Sequence, residues 1–174
     1  MAQPCRVVSE LVWAEFVDQA PAHAQATKKG FSAIQREGLR YESSFVDFLR
    51  AAPKPDDAMV LAGPWIRFED SGGIGHAQPD AILLSPRGAY IFECKLSERN
   101  RAWQQLFGLY TPLLRRLLRV PLRRVQVCRN LKGLSPNVAI ATSAKELRDN
   151  CIWHWDDREF KRGQQNVRRY KKTG

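Results

Sequence analysis

The stretch GHAQPDAILLSPRGAYIFECKL, from Gly75 to Leu96, holds two apolar runs, and each carries charge where a strand would take valine. Asp80 heads the first run, while Glu93 and Lys95 sit inside the second, two residues apart. AQPDAILLS and AYIFECKLS, apolar at nearly every position, predict two strands covered on both faces and joined across Pro86-Arg87-Gly88. Side chains alternate along a strand, so Glu93 and Lys95 project on the same face. A four-residue turn over 85–88, with Pro86 second and Gly88 fourth, sets 85 opposite 88 and carries the count back to 80 opposite 93. Asp80 and Glu93 then become cross-strand partners, with Cβ atoms about 4.5–5.5 Å apart. Two-residue hairpin loops prefer other turn types, which leaves a longer loop and a shifted register open.

Like charges opposed in this way cost stability, and burial raises the pKa of at least one carboxylate. Lys95 offsets part of that charge, and a divalent cation can offset the rest. Hard oxygen ligands suit magnesium, with manganese as a substitute, because these ions need only a few carboxylates beside water and phosphate. Such an ion neutralises phosphate charge and lowers the pKa of a water. The lysine amine can position or help deprotonate that water, or stabilise charge developing on phosphorus. Carboxylate–lysine groups at strand ends are often plain ion pairs near solvent, and a D…ExK string is common by chance. The setting favours a site: strongly apolar strands, an amphipathic segment next, and a basic chain.

The surrounding sequence supplies the layers. Residues 1–27 read as an arm whose apolar piece VVSELVWAEFV suggests a short helix. From Lys28 to Ala52, Phe31, Ile34, Tyr41, Phe45, Phe48 and Leu49 recur at spacings suited to one buried helical face. Gly38 is a point where that helix can break, and PKPDD ends it. MVLAGPWIRFED (59–70) predicts a strand with a Gly-Pro irregularity, and SGGIG (71–75) a turn-rich loop. From about Glu98 to Leu118, Trp103, Leu106, Phe107, Tyr110, Leu113, Leu114 and Leu117 follow helical spacing, and Pro112 should kink or divide the helix. RRVQVCRNL (123–131) predicts a strand, NVAIATS one more, AKELRDN a short helix, and CIWHWDD a strand or packed aromatic loop. The order helix, strand, strand, strand, helix, strand implies an α/β core with helices covering a central sheet. The expected division is arm 1–27, core domain 28–157 and basic tail 158–174.

Charge narrows the partners. Lys and Arg number 28 against 18 Asp and Glu, a net charge of +10, which favours a polyanion: nucleic acid first, an anionic membrane surface second. No apolar run is long enough to span a bilayer, and the N-terminus lacks a secretory pattern, so a soluble, cytoplasmic protein without a membrane partner is expected. Cys5, Cys94, Cys128 and Cys151 lie far apart without a CxxC pair, which argues against zinc and disulfides and for buried thiols.

These residues resemble the PD-(D/E)XK nuclease superfamily, with its restriction-endonuclease-like αβββαβ core and mixed sheet. QPDAILL supplies Pro79-Asp80, IFECKLS supplies Glu93-Cys94-Lys95, and GLRYESSF supplies Gly38 and Glu42 in the GxxxE spacing often found on the first helix. The resemblance covers roughly residues 38–131. It implies Asp80 and Glu93 as metal ligands, Lys95 in the catalytic role, and Glu42 binding metal or a water on it. A glutamine on the next helix, with a tyrosine a few residues on, is frequent in the exonuclease-like branch. WQQLFGLY offers Gln104, Gln105 and Tyr110, at a longer spacing than the usual QxxxY. Either glutamine can be the one that faces the site, whereas Tyr110 reads as a core aromatic.

The resemblance thus implies a magnesium-dependent hydrolase of phosphodiester bonds, DNA favoured over RNA, endonuclease or exonuclease, with a homodimer compatible. The competing class is a nucleic-acid-binding or assembly protein on the same fold without cleavage. His76 reads as a loop histidine. The run LLRRLLRVPLRR sets Arg115, Arg116, Arg119, Arg123 and Arg124 against leucines. It reads as a core helix with a solvated basic edge, with a phosphate-binding ridge as second reading. In the tail, Lys161, Arg162, Arg168, Arg169, Lys171 and Lys172 with Phe160 and Tyr170 suit backbone phosphates and some base stacking, or a solubilising end.

Overall fold

Strands as uniformly apolar as 81–85 and 88–97 need cover on both faces, and helices supply it. The computed structural model describes residues 6–22, 30–55, 57–97, 100–131 and 139–160. Its elements are β1 (Trp13–Val17), α1 (Ala33–Ala51), β2 (Met59–Ala62), β3 (Trp65–Asp70), β4 (Gly73–Ala77), β5 (Ala81–Ser85) and β6 (Gly88–Ser97). There follow α2 (Asn100–Gln104), a π-helical turn (Gln105–Tyr110), α3 (Thr111–Leu118), β7 (Leu122–Asn130), β8 (Ala139–Ala141), a 3-10 turn (Ala144–Glu146) and β9 (Cys151–His154). A six-stranded mixed sheet runs in the order β2-β5-β6-β7-β9-β8. Its β2, β5 and β6 are antiparallel neighbours, whereas β6, β7, β9 and β8 run parallel.

Alternation along β6 sends Phe92 and Cys94 to one face and Ala89 and Ile91 to the other. The first pair packs with Tyr41, Phe45 and Leu49 of α1, the second with Leu106, Leu113 and Leu114 of the second helical run. The Phe45 ring stands 5.2 Å from Phe92, 5.4 Å from Trp153 and 5.3 Å from Trp155. Arg129 ties α1 to the sheet: its guanidinium pairs with Glu37 at 2.5 Å and Asp157 at 2.8 Å and lies over the Tyr41 ring. Tyr41 in turn donates to the Trp155 carbonyl at 2.9 Å.

Several local expectations change. The helix at 33–51 is continuous through Gly38 and starts at a capping box, in which Ser32 and Gln35 exchange side-chain and backbone hydrogen bonds. The segment 59–70 is two strands in different sheets, because Gly63, at φ 52°, turns the chain before Pro64. The expected loop at 71–75 is a tight turn leading into β4, and the arm's apolar piece is a strand, β1, rather than a helix. β1, β3 and β4 form a separate three-stranded antiparallel sheet. AKELRDN holds only a 3-10 turn, while CIWHWDD does hold a strand.

The second helical run is divided, and Pro112 explains how. Lacking an N–H, it cannot bond the Gly108 carbonyl in α-helical fashion, and Val8 N–H takes that carbonyl instead, at 2.8 Å. Thr111 N–H reaches back five residues to Leu106 O, and its hydroxyl donates to the same oxygen at 2.6 Å. Cys94, Cys128 and Cys151 are buried free thiols; Cys5 lies outside the described residues. No helix among the described residues is long and apolar enough to cross a membrane.

Replacing Arg129 by Met removes the guanidinium that the Asp157 carboxylate, 4% exposed, holds at 2.8 Å. The expected cost is about 3–5 kcal/mol in a urea titration followed by tryptophan fluorescence. A loss within about 0.5 kcal/mol would mean that this pair does not hold β7 to the segment after β9.

Candidate active site

The hairpin register is the one a short SPRG turn dictates. Ser85 faces Gly88, Leu84 faces Ala89, and the ladder closes with Ala81 opposite Phe92. One step beyond stand Asp80 and Glu93. Asp80 is fixed by its neighbours: Oδ2 accepts the Cys94 N–H at 2.6 Å, and its carbonyl accepts the Gly63 N–H at 2.9 Å. Lys95 Nζ donates to Glu93 Oε1 at 2.5 Å, with the lysine side chain 27% exposed and the glutamate 2%. Glu42, half-way along α1, joins from the opposite layer. It lines a cavity of about 210 Å³ together with Ile34, Gly38, Cys94 and Lys95.

Burial dominates the electrostatics. It pushes the Glu93 carboxyl up to about 8, helped by the negative charge of Asp80 and opposed by Lys95. Burial and then Asp80 raise Glu42 to about 7. Asp80 is raised by burial as well, against the pull of Lys95 and of the Cys94 N–H. Burial works against the Lys95 ammonium, but Glu93, Asp80 and Glu42 outweigh it and raise its pKa. Three acids thus share one ammonium in a poorly solvated site, and protons supply the balance near neutral pH. Glu93 Oε2 is buried and has no hydrogen-bond partner among the described residues. Among the described residues no three His, Cys, Asp or Glu side chains form a ready-made metal cage. Magnesium does not require one, since one or two carboxylates with waters and phosphate suffice.

The structure separates the two glutamines. Gln104 is exposed. Gln105 Nε2 donates to the Tyr110 hydroxyl at 3.2 Å, and that hydroxyl donates to the Gln78 carbonyl at 3.1 Å, two residues before Asp80. In an α-helix residues four apart stack, whereas the π turn over Gln105–Tyr110 aligns residues five apart. The long spacing therefore still delivers an adjacent pair. Tyr110 is a core aromatic, 2% exposed, as its spacing predicts, and it also holds the segment leading to Asp80.

The basic residues fall elsewhere. Arg115, Arg116, Arg119 and Arg123 are exposed, and Arg123 lies at the end of the fold that carries the Ser85–Gly88 turn. Tyr90, whose hydroxyl accepts from Arg123, lies about 17 Å along β6 from Lys95. Arg123 is thus remote from the carboxylate cluster. Arg124 differs from the others: it is 8% exposed, its guanidinium is engaged by Asp149 and Asn150, and it lies over the Phe107 ring. Lys161, Arg162, Arg168, Arg169, Lys171 and Lys172 lie outside the described residues. His76 belongs to β4, opposite Arg67, and not to a loop.

Two neighbours of the site escaped the sequence reading. Gln126, fully buried, stands beside Glu93 in the parallel ladder. An amide in the apolar run VQVC is the same kind of signal as Glu93 in IFECKL. Ile34, assigned to a buried face by its spacing, is 73% exposed at the rim of the cavity.

Neither protein-family models nor the curated proteins give a match to the chain. A solved structure, that of a Type III CRISPR defence DNA nuclease activated by cyclic oligoadenylate, is similar to it with a TM-score of 0.44 and 17% identity. The likeness covers 79% of this chain and 21% of the other, about a fifth of that protein's length. At that depth it carries no functional argument.

The carboxyl shifts have a consequence for stability. Glu42 and Glu93 hold protons more tightly folded than unfolded, so stability falls as pH rises from about 4.5, their ordinary value, through about 7 and 8. Lys95, its pKa raised above 10.5, contributes a constant amount across that window. In chelator, Glu93→Gln should therefore melt above the wild type near pH 8, by several degrees, and the gap should close towards pH 5. Differential scanning calorimetry at both ends of the window checks this; a gap independent of pH contradicts it.

Proposed function

We propose that the protein is a metal-dependent nuclease of the PD-(D/E)XK type that hydrolyses phosphodiester bonds, in DNA by preference. The observation that carries this reading is the buried Glu93 grouped with half-buried Asp80 and Lys95 and faced by Glu42, with Glu93 Oε2 left without a hydrogen-bond partner among the described residues. A fold does not bury that much like charge for stability, since an apolar set of the same volume would serve it better.

The donor set fits a hard divalent cation. Asp80 would offer Oδ1, its Oδ2 being engaged by Cys94 N–H, and Glu93 would offer Oε2. Glu42, across the cavity, would complete the oxygen set directly or through water. Magnesium or manganese bound there would neutralise phosphate charge and lower the pKa of a water. Lys95 has the reach and the exposure to orient an attacking water and to stabilise charge on the phosphorus. Glu93 holds the ammonium, and the lysine's raised pKa keeps it charged at neutral pH. Gln105, through Tyr110 and Gln78, acts as a positioning residue for Asp80. Arg115, Arg116, Arg119 and Arg123 would take substrate phosphates away from the cleaved bond. Arg124 has no part in that contact.

The test uses linear, circular and single-stranded DNA and RNA, with magnesium, manganese or EDTA, and a Lys95→Ala variant that keeps the wild-type circular dichroism. Cleavage should require the metal and fall about 10²–10⁴-fold in Lys95→Ala. Activity in EDTA, or an unchanged variant, would contradict the mechanism, and binding without cleavage of any substrate would favour an assembly role. Arg119→Ala and Arg123→Ala should each lower the slope of log affinity against log salt by about 1 without sequence dependence.

A further inference from the structure

Gly38 lies inside a continuous helix, where glycine is the poorest residue short of proline. Glycines in folded chains answer to two usual needs, a positive φ or the close approach of a neighbour. Gly30 and Gly73 have the first, at φ 119° and 86°. Gly75 and Gly88 have the second: an added Cβ would come within 3 Å of the Phe68 ring and of the Pro121 carbonyl. Gly38 alone among the described glycines has neither. Its φ is helical, and a Cβ built on it meets nothing within 4 Å among the described residues. The space it leaves open is part of the cavity that Glu42 and Lys95 line, and one turn back on the same helical face Ile34 projects 73% exposed. An exposed isoleucine beside a bare stretch of helix, both opening onto a lysine and a carboxylate, is a surface shaped for something outside the chain.

We infer that α1 between Ile34 and Glu42 is a track for the substrate strand, whose sugar-phosphate backbone passes against the bare helix at Gly38 with a sugar or base on Ile34. This rests on the proposed nuclease reading and adds the path by which the strand reaches the site. Gly38 is then a positioning residue whose contribution is the absence of a side chain. Ile34, Gly38 and Glu42 recur every four residues, so they form one stripe leading to Lys95. The apolar Ile34 suits a sugar or base face, and the ammonium suits the phosphate next to it.

Stability and binding should move in opposite directions, which a purely structural glycine cannot produce. Gly38→Ala should raise Tm by about 2–4 °C, as removal of a helix-interior glycine does when nothing is crowded. The same variant should weaken binding of a fluorescein-labelled DNA oligonucleotide, read by anisotropy in EDTA, by about fivefold or more, and Gly38→Leu by about a hundredfold. Ile34→Ser should weaken binding too, with Tm within about 2 °C of wild type. Gly38→Leu that binds and cuts like wild type overturns the inference and leaves the nuclease reading intact. So does Gly38→Ala that melts lower, since packing would then explain the glycine. A wild type that neither binds nor cuts any nucleic acid removes the nuclease reading and this track with it.

Discussion

The Glu93 carboxylate sets the terms for the rest of the structure. It is buried in a central strand beside a second carboxylate, with one ammonium to answer both. Burying a charge costs several kcal/mol unless partners replace its water. The chain replaces that water only in part: Lys95 takes one oxygen of Glu93, and the Cys94 N–H takes one oxygen of Asp80. The shortfall raises the Glu42 and Glu93 carboxyls to about 7 and 8, so that they favour a proton near neutral pH, and the proposed cation would take the place of those protons. Everything around the group holds it in this poised condition. The hairpin brings Asp80 up against Glu93, and α1, anchored by Arg129 and the aromatic cluster, brings Glu42 across from the other layer.

How much of this was legible depended on whether the signal was local. The hairpin register followed from a short turn and the alternation of side chains, so Asp80 could be placed against Glu93 by counting alone. The strand pair around it and the first helix follow from apolar spacing, and the division of the second helix from Pro112. What failed lay in long-range pairing. β1 is a strand because β3 offers it a ladder partner fifty residues away, and nothing in VVSELVWAEFV announces that. Likewise MVLAGPWIRFED reads as one strand, while Gly63 sends its halves to different sheets. Ile34 fits the spacing of the buried face, yet lies 73% exposed at the rim of the cavity.

The second helical run shows how a backbone defect was put to use. Proline at 112 removes one N–H, the freed Gly108 carbonyl is claimed by Val8, and the helix widens to a π turn over six residues. That widening brings Gln105 onto Tyr110, and Tyr110 onto the link between β4 and β5 that leads to Asp80. A spacing one residue longer than an α-helical turn thus still sets Gln105 beside Tyr110. Arg123, by contrast, lies beside the Ser85–Gly88 turn, at the other end of β6 from Lys95.

The central claim is that the carboxylate group holds protons which a cation displaces. The most direct measurement is titration calorimetry with manganese near pH 7 in buffers of different ionisation enthalpy, which counts protons released per ion bound. Displacement from Glu93, with Glu42 beside it, should release about one proton or more, and release should fade in Glu93→Gln along with affinity. Manganese that binds without releasing protons, or that binds Glu93→Gln as tightly as wild type, would contradict the account.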